Sequence, residues 1–217
     1  MLHYATMLKQ STPTIINVGY RSTNYWVVSV GTARILVDLG WPGTVNIMLA
    51  NLKRMGVALS ELRYAMATHY HLDHAGTAQN LKLRGVPLLV LETQVAAIAY
   101  MKRWTKPEDH YTDITLYDNV NITFADSRAI LERIGIAGEI LATPGHSDDS
   151  VSLVLDNGAA CTGDLPPVAL ADDHARPLVA ASWRLLHEHG AKHIYPGHGP
   201  VRTMAGADGM AAMIEPV

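Results

Sequence analysis

The sequence predicts a mixed α/β fold that carries its chemistry on one edge of a sheet. Three observations predict it. Strand-like apolar runs alternate with stretches of helical period along all 217 residues. Four of the strand-like runs stop at a sharp loop that presents histidine or aspartate, where α/β folds place their functional groups. No low-complexity tract or linker interrupts the chain, and a composition 48% hydrophobic and 17% charged fills one sizeable core. Residues 1–217 are therefore read as one domain with two roughly similar halves.

The elements follow in order. Thr14 to Val18 is a β-branched run and reads as a strand. Tyr25 to Val30 and Arg34 to Val37 add two more, turned at Gly31-Thr32-Ala33, which makes an N-terminal meander. Asp38 to Gly43 is a breaker-rich loop. Thr44 stands where a helix cap belongs, and Val45, Met48, Leu49, Leu52 and Met55 recur at helical spacing up to Gly56. Tyr64 to Ala67 is a short buried strand. A helix runs from the following loop to near Gly85, then Val86 to Leu91 forms a strand buried on both faces. Glu92 to Trp104 reads as helix and 105–119 as a polar cover loop. Val120 to Phe124 and Gly138 to Ala142 are strands. Ser150 to Leu155 and Gly158 to Thr162 form a hairpin across Asp156-Asn157. A long loop, 165–177, carries three prolines. Leu178 to His189 is an amphipathic helix, His193 to Tyr195 a strand, and Ala205 to Ile214 a final helix.

The densest chemistry lies in Thr68-His69-Tyr70-His71-Leu72-Asp73-His74-Ala75-Gly76. Alternate residues of an extended segment point the same way, so His69 and His71 aim two imidazoles at one point while Tyr70 turns away. Asp73 and His74 come after the bend and suit a second ion, since paired ions typically sit about 3.5–4 Å apart. Imidazole with carboxylate favours Zn2+, or Fe or Mn.

Three further strand ends share this design. Thr143-Pro144-Gly145-His146-Ser147, Thr162-Gly163-Asp164 and Pro196-Gly197-His198-Gly199-Pro200 each bend at glycine and present one His or Asp. The count closes on two divalent ions. His69, His71 and His146 hold one, Asp73, His74 and His198 the other, and Asp164 bridges them. Each ion keeps an open position for water, as a catalytic site requires. Asp73 and Asp164 are the candidate catalytic carboxylates. Asp38 sits at a strand end outside this set and is expected to accept the outer N–H of a ligand.

Taken together, these residues resemble the metallo-β-lactamase superfamily in its binuclear hydrolase branch. The resemblance is carried by Asp38 in Val37-Asp38-Leu39-Gly40, the His-x-His-x-Asp-His loop, and the Pro-Gly-His, Thr-Gly-Asp and Pro-Gly-His-Gly-Pro segments, in that order over residues 38 to 200. It implies an αββα sandwich of two mixed sheets with helices outside. Members that hydrolyse β-lactam antibiotics carry Cys or Ser where this chain has Asp164. An aspartate there resembles the glyoxalase II-like thioesterase, lactonase and phosphodiesterase members. The helical glutathione domain of the thioesterases, the large insertions of the nucleases and the flavin domain of the flavodiiron proteins have no counterpart. The resemblance therefore implies a stand-alone hydrolase that cleaves an ester-type bond in a small molecule with a metal-activated water. A mononuclear iron persulfide dioxygenase and a non-catalytic metal-dependent binding protein are the rival readings.

Composition bounds the partners. Net charge is −3 without a basic stripe, so nucleic acid is not expected. No apolar run reaches the roughly 18 residues of a membrane span. The first ten residues lack a secretory signal, and a cytoplasmic location is the expectation. The lone Cys161 excludes an intramolecular disulfide. A homodimer is left open.

Overall fold

The computed structural model describes residues 12–204. Two sheets form its centre. The first has the order β1-β2-β3-β4, from Thr14–Asn17 (β1), Trp26–Val30 (β2), Ala33–Val37 (β3) and Leu62–Met66 (β4). The second has the order β11-β10-β9-β8-β7, from Gly138–Ala142 (β7), Val151–Leu155 (β8), Ala159–Gly163 (β9), His193–Pro196 (β10) and Arg202–Thr203 (β11). Leu89–Leu91 (β5) and Val120–Ile122 (β6) pair in parallel beside β4, joined to it by a single bridge between Ala65 and Leu88. The helices are Val45–Arg54 (α1), Leu72–Ala75 (α2), Ala78–Lys82 (α3), Val95–Met101 (α4), Ser127–Arg133 (α5) and Arg176–Glu188 (α6).

Alternation along the strands builds the layers. Trp26, Val28, Ile35, Val37 and Met66 of the first sheet meet Ile140, Val151, Leu153, Leu155 and Cys161 of the second in one buried cluster. Their neighbours point the other way. Val27, Leu36 and Ala65 pack with Met48 and Leu52 of α1, Leu81 of α3 and Ile98 of α4. Val154, Ala160 and Ile194 pack with Val179, Trp183 and Leu186 of α6. Successive strand residues thus bury opposite faces, and the result is the αββα sandwich of two mixed sheets that the resemblance implied. Both sheets contain parallel and antiparallel pairs, β3 with β4 and β9 with β10 being parallel.

Four expectations change in detail. The helix after the histidine loop is two short helices, α2 and α3, broken at Gly76-Thr77, where a side chain at Gly76 would collide with Pro42 and Leu72. Thr44 does precede α1, but its hydroxyl donates backwards to Trp41 O at 2.7 Å and caps no helical N–H. The last long helix begins at Arg176, inside the expected loop, because Pro177 occupies its first turn, where proline costs no hydrogen bond. Helix α5 was not expected. The C-terminal helix expected over Ala205 to Ile214 lies outside the described residues.

The 105–119 segment is pinned from below. Lys82 Nζ, whose side chain is 4% exposed, lies within hydrogen-bond distance of five oxygens of residues 115–119, among them Thr115 O at 2.9 Å and Asp118 Oδ1 at 2.8 Å. A charged donor in such a cage contributes about 1.5–3 kcal/mol. Lys82→Met is expected to lower stability by about 2 kcal/mol and to open 115–119 to limited proteolysis. An unchanged melting temperature and cleavage pattern would remove the clamp.

Candidate metal centre

The loops after β3, β4, β7, β9 and β10 leave the sheets at the same edge. Asp38 follows β3, and His69, His71, Asp73 and His74 follow β4. His146 follows β7, Asp164 follows β9 and His198 follows β10. Backbone bonds lock these ends together: Val151 N donates to Thr68 O at 2.8 Å, Gly197 N to Gly163 O at 2.7 Å, and Asn24 N to Gly197 O at 2.8 Å.

All seven expected ligand residues converge. His69, His71 and His146 offer one group of donor atoms within 4.8 Å of one another, and Asp73, His74 and His198 offer a second. Asp164 lies between them. Its Oδ1 is 3.3 Å from His74 Nε2, and its Oδ2 is 3.4 Å from His198 Nε2 and 3.7 Å from His146 Nε2. Asp73 Oδ2 is 3.3 Å from His74 Nε2 and 3.1 Å from His198 Nε2. His146 Nε2 and His71 Nδ1 are 3.0 Å apart. Two glycines make room for this. A Cβ on Gly197 would strike Asp164 Oδ1 and His74, and one on Gly163, which has φ +54°, would strike Thr68.

The histidines are held from behind. His74 Nδ1 lies 3.0 Å from Asp38 Oδ2, a buried ion-pair contact at the place where the carboxylate was expected to meet a ligand's outer N–H. His69 Nδ1 lies 3.1 Å from Thr68 Oγ1, and His198 Nδ1 donates to Ser22 O at 2.8 Å. Thr68 Oγ1 and Ser22 O thus face the Nδ1 atoms of His69 and His198 and leave Nε2 of each of these two rings towards the cluster, as a ligand needs. Asp38 itself accepts from Thr68 N at 2.8 Å and Thr68 Oγ1 at 2.9 Å.

Charge agrees with this geometry. Burial and four neighbouring histidines hold His69 well below the ordinary imidazole range, so it is neutral and its lone pair is free. Burial also works against charge on His74, but Asp38, Asp164 and Asp73 outweigh it and lift His74 well above that range. Three carboxylates thus favour positive charge at one buried point. Burial raises Asp73 and Asp164, yet the histidine contacts prevail and both stay below the usual carboxylate range.

The residues fit divalent ions. His69 Nε2 is buried with no hydrogen-bond partner among the described residues, an arrangement that costs free energy unless a ligand completes it. Five imidazoles and two carboxylates form a set that suits zinc and its borderline neighbours.

Sequence reasoning missed the supports. Thr23 Oγ1 donates to Asp73 Oδ2 at 3.0 Å, from the turn between β1 and β2. Gln94 is fully buried and its amide reaches Ala67 O, Thr68 O and Asp149 O. Asp149 accepts Tyr70 N at 2.7 Å. A glutamine ahead of an apolar helix carries no pattern that reveals this. His174, in the loop after Asp164, is exposed and its backbone N–H donates to Asp172 Oδ1 at 3.0 Å.

An αββα sandwich with histidines and aspartates clustered at its sheet edge defines the class as that of proteins with a candidate metal centre at the sheet edge. The sequence profile described as the metallo-beta-lactamase superfamily matches residues 18–169. The chain belongs to the metallo-β-lactamase superfamily. It is 29% identical over 190 residues to the Beta-lactamase-like protein 2 homolog of Caenorhabditis elegans, covering 83% of this chain and 57% of that protein. It is 26% identical over 201 residues to the Probable metallo-hydrolase MJ0888 of Methanocaldococcus jannaschii, covering 84% and 90%. It is 30% identical over 185 residues to the Lactamase-like protein nscB of Trichophyton rubrum, covering 82% and 49%. The chain thus spans about half the length of several relatives and most of the archaeal one. Among solved structures, the metallo-beta-lactamase family protein TTHA1429 from Thermus thermophilus superposes with a TM-score of 0.71 at 18% identity, covering 93% of this chain and 76% of that one. The BLEG-1 B3 metallo-beta-lactamase gives 0.67 at 20%, covering 88% and 94%. Among the described residues no helix is long and apolar enough to cross a membrane.

Proposed function

We propose that this chain hydrolyses an ester-type bond (lactone, ester, thioester or phosphodiester) in a small molecule, using a pair of divalent ions, zinc in the first instance. The single observation that carries the reading is the position of Asp164. It lies within 3.3–3.7 Å of His74, His198 and His146, and so reaches both candidate ligand groups. One carboxylate shared by two histidine groups is the arrangement a two-ion site uses.

His69, His71 and His146 would hold one ion, and Asp73, His74 and His198 the other, with Asp164 between. Bound there, the ions supply hydroxide near neutral pH by lowering the pKa of water from about 15.7 towards 7, and polarise the oxygen of the scissile group. Asp164 fixes the spacing of the two groups. Asp73, held by Thr23 and outside the first group, is placed to take the proton released at the attacked centre. Asp38, Thr68 and the carbonyl of Ser22 keep three imidazoles in register, so the site needs little rearrangement to act. Small-molecule substrates are the proposed partners, and a net charge of −3 is no footprint for nucleic acid.

The test joins elemental analysis of the purified protein to a chromogenic panel of esters, thioesters, lactones and phosphodiesters. The expected result is about two ions per chain, hydrolysis of at least one ester class, and loss of activity on chelation that zinc restores. One iron per chain with oxygen uptake on a thiol persulfide would point to the oxygenase instead. Metal-replete protein inert to the whole panel would leave a binding protein.

A further inference from the structure

Beside the metal centre lies a cavity of about 310 Å³ whose wall includes His71 itself. One side of the wall is apolar, made by Ala96, Ala97, Tyr100 and Met101 of α4, Trp104 in the turn after it and Tyr70 of the histidine loop, while Thr93, Asp148 and Asp149 make the rest polar. Tyr100 is 52% exposed and Trp104 is 74% exposed, although a soluble surface normally spares such rings. Arg103 stacks on Tyr100 with its guanidinium 4.6 Å from the ring centre, which lengthens the wall. Asp148 and Asp149 supply the acidic rim.

We propose that this cavity is the binding site for the uncharged, apolar acyl part of the substrate, so that the chain prefers medium-length acyl esters or thioesters over acetyl ones. The inference rests on the hydrolase reading above and adds a substrate class to it. Continuity decides the occupant. A side chain that belongs to one ligand group also lines the cavity, so a carbonyl held at the ions lies at its mouth and the acyl chain runs along α4. Charge narrows the choice: Asp148 and Asp149 line the cavity itself and disfavour a carboxylate or phosphate tail, whereas Arg103 lies over the Tyr100 ring and is not among the lining residues. At roughly 30 Å³ for each water-sized group, 310 Å³ takes about ten non-hydrogen atoms. That is an acyl chain of about six to ten carbons, towards the small end of ligand pockets.

Two measurements test this. In a series of 4-nitrophenyl esters from acetyl to dodecanoyl, kcat/KM is expected to rise about threefold per added methylene, as burial of each predicts, and to level off near eight to ten carbons. Ala96→Trp puts a bulky ring on an exposed face of α4 at the cavity wall. It is expected to flatten the octanoyl-to-acetyl ratio by at least tenfold. Acetyl hydrolysis with no dependence on chain length would overturn the acyl pocket and leave the hydrolase standing. The second measurement needs no turnover. Octan-1-ol titrated into the metal-loaded protein is expected to change Trp104 fluorescence saturably, with Trp104→Phe as the silent control and ethanol without effect. If no ester is cleaved, this titration alone decides the site, and an unsaturable response overturns it. A dimer that buries Trp104 and dissociates in Ala96→Trp would also overturn it, because the wall would then belong to an interface.

Discussion

Asp164→Ala is expected to lose bound metal and hydrolytic activity together. Asp164 touches both ligand groups, with Oδ1 at 3.3 Å from His74 and Oδ2 at 3.4 Å from His198 and 3.7 Å from His146. Alanine deletes the carboxylate that lies between them and leaves five imidazoles with one carboxylate, Asp73. On the two-ion reading proposed above, the ions would lack the charge that balances them, and water there would keep a pKa nearer about 15.7 than 7. A fall in kcat/KM of about a thousandfold or more is expected, with metal content dropping from about two ions to one or fewer. Folding should survive, since Asp164 is partly exposed and lies at a strand end rather than in the core. Elemental analysis and kcat/KM on one preparation, with circular dichroism for the fold, check the three parts. A metal-replete, fully active variant would end the bridging role.

The site was legible because each ligand sits at a strand end beside a residue with a strong local signature. His146, Asp164 and His198 each directly follow a glycine, and strands of four or five residues, each with a short apolar run, precede them. The sheets were legible for the same reason, since runs such as Trp26–Val30 and Val151–Leu155 are buried on both faces and are apolar almost throughout. Helix α5 was not, because Ser127–Arg133 spans only seven residues and shows just two fully covered apolar side chains, Ile130 and Leu131. Its one signal was the Thr123…Asp126 pair, where Thr123 Oγ1 accepts from Asp126 N and Asp126 Oδ2 accepts in return. The break between α2 and α3 was hidden because it falls at Gly76-Thr77, where Gly76 packs so closely on Pro42, a residue distant in sequence, that a side chain would collide with it. The supports from Thr23 and Gln94 were hidden likewise. They act across the fold, and a single chain read in order does not reveal which loops meet.

Asp38 is the sharper test, because its substitutions separate folding from metal binding. It is 1% exposed and has φ +66°, a left-handed conformation in which asparagine and aspartate are tolerated and alanine is not. Its two oxygens have different duties. Oδ1 accepts from Thr68 N and Thr68 Oγ1, which secures the histidine loop, and Oδ2 faces His74 Nδ1 at 3.0 Å, which selects the tautomer of that ring. Asp38→Asn keeps the first duty and reverses the second. Its NH2 meets Nδ1 and favours a proton on Nε2, the nitrogen that faces Asp73 and Asp164 at 3.3 Å each. The folded chain should melt close to the wild type, while its metal affinity falls by about 10–100-fold, the usual cost of disturbing a ligand's outer partner. Asp38→Ala loses both duties. A buried Thr68 N–H is left without its acceptor, at about 1–3 kcal/mol, and a left-handed alanine adds about 1–2 kcal/mol. Stability should drop by about 3 kcal/mol in all, and metal affinity should fall with it. Thermal denaturation of the metal-free proteins and calorimetric metal titration of the same three samples measure the two effects separately. If Asp38→Asn binds metal as tightly as the wild type, His74 is held by something other than this carboxylate; if Asp38→Ala melts with the wild type, the left-handed turn carries no strain for alanine and the loop does not depend on Oδ1.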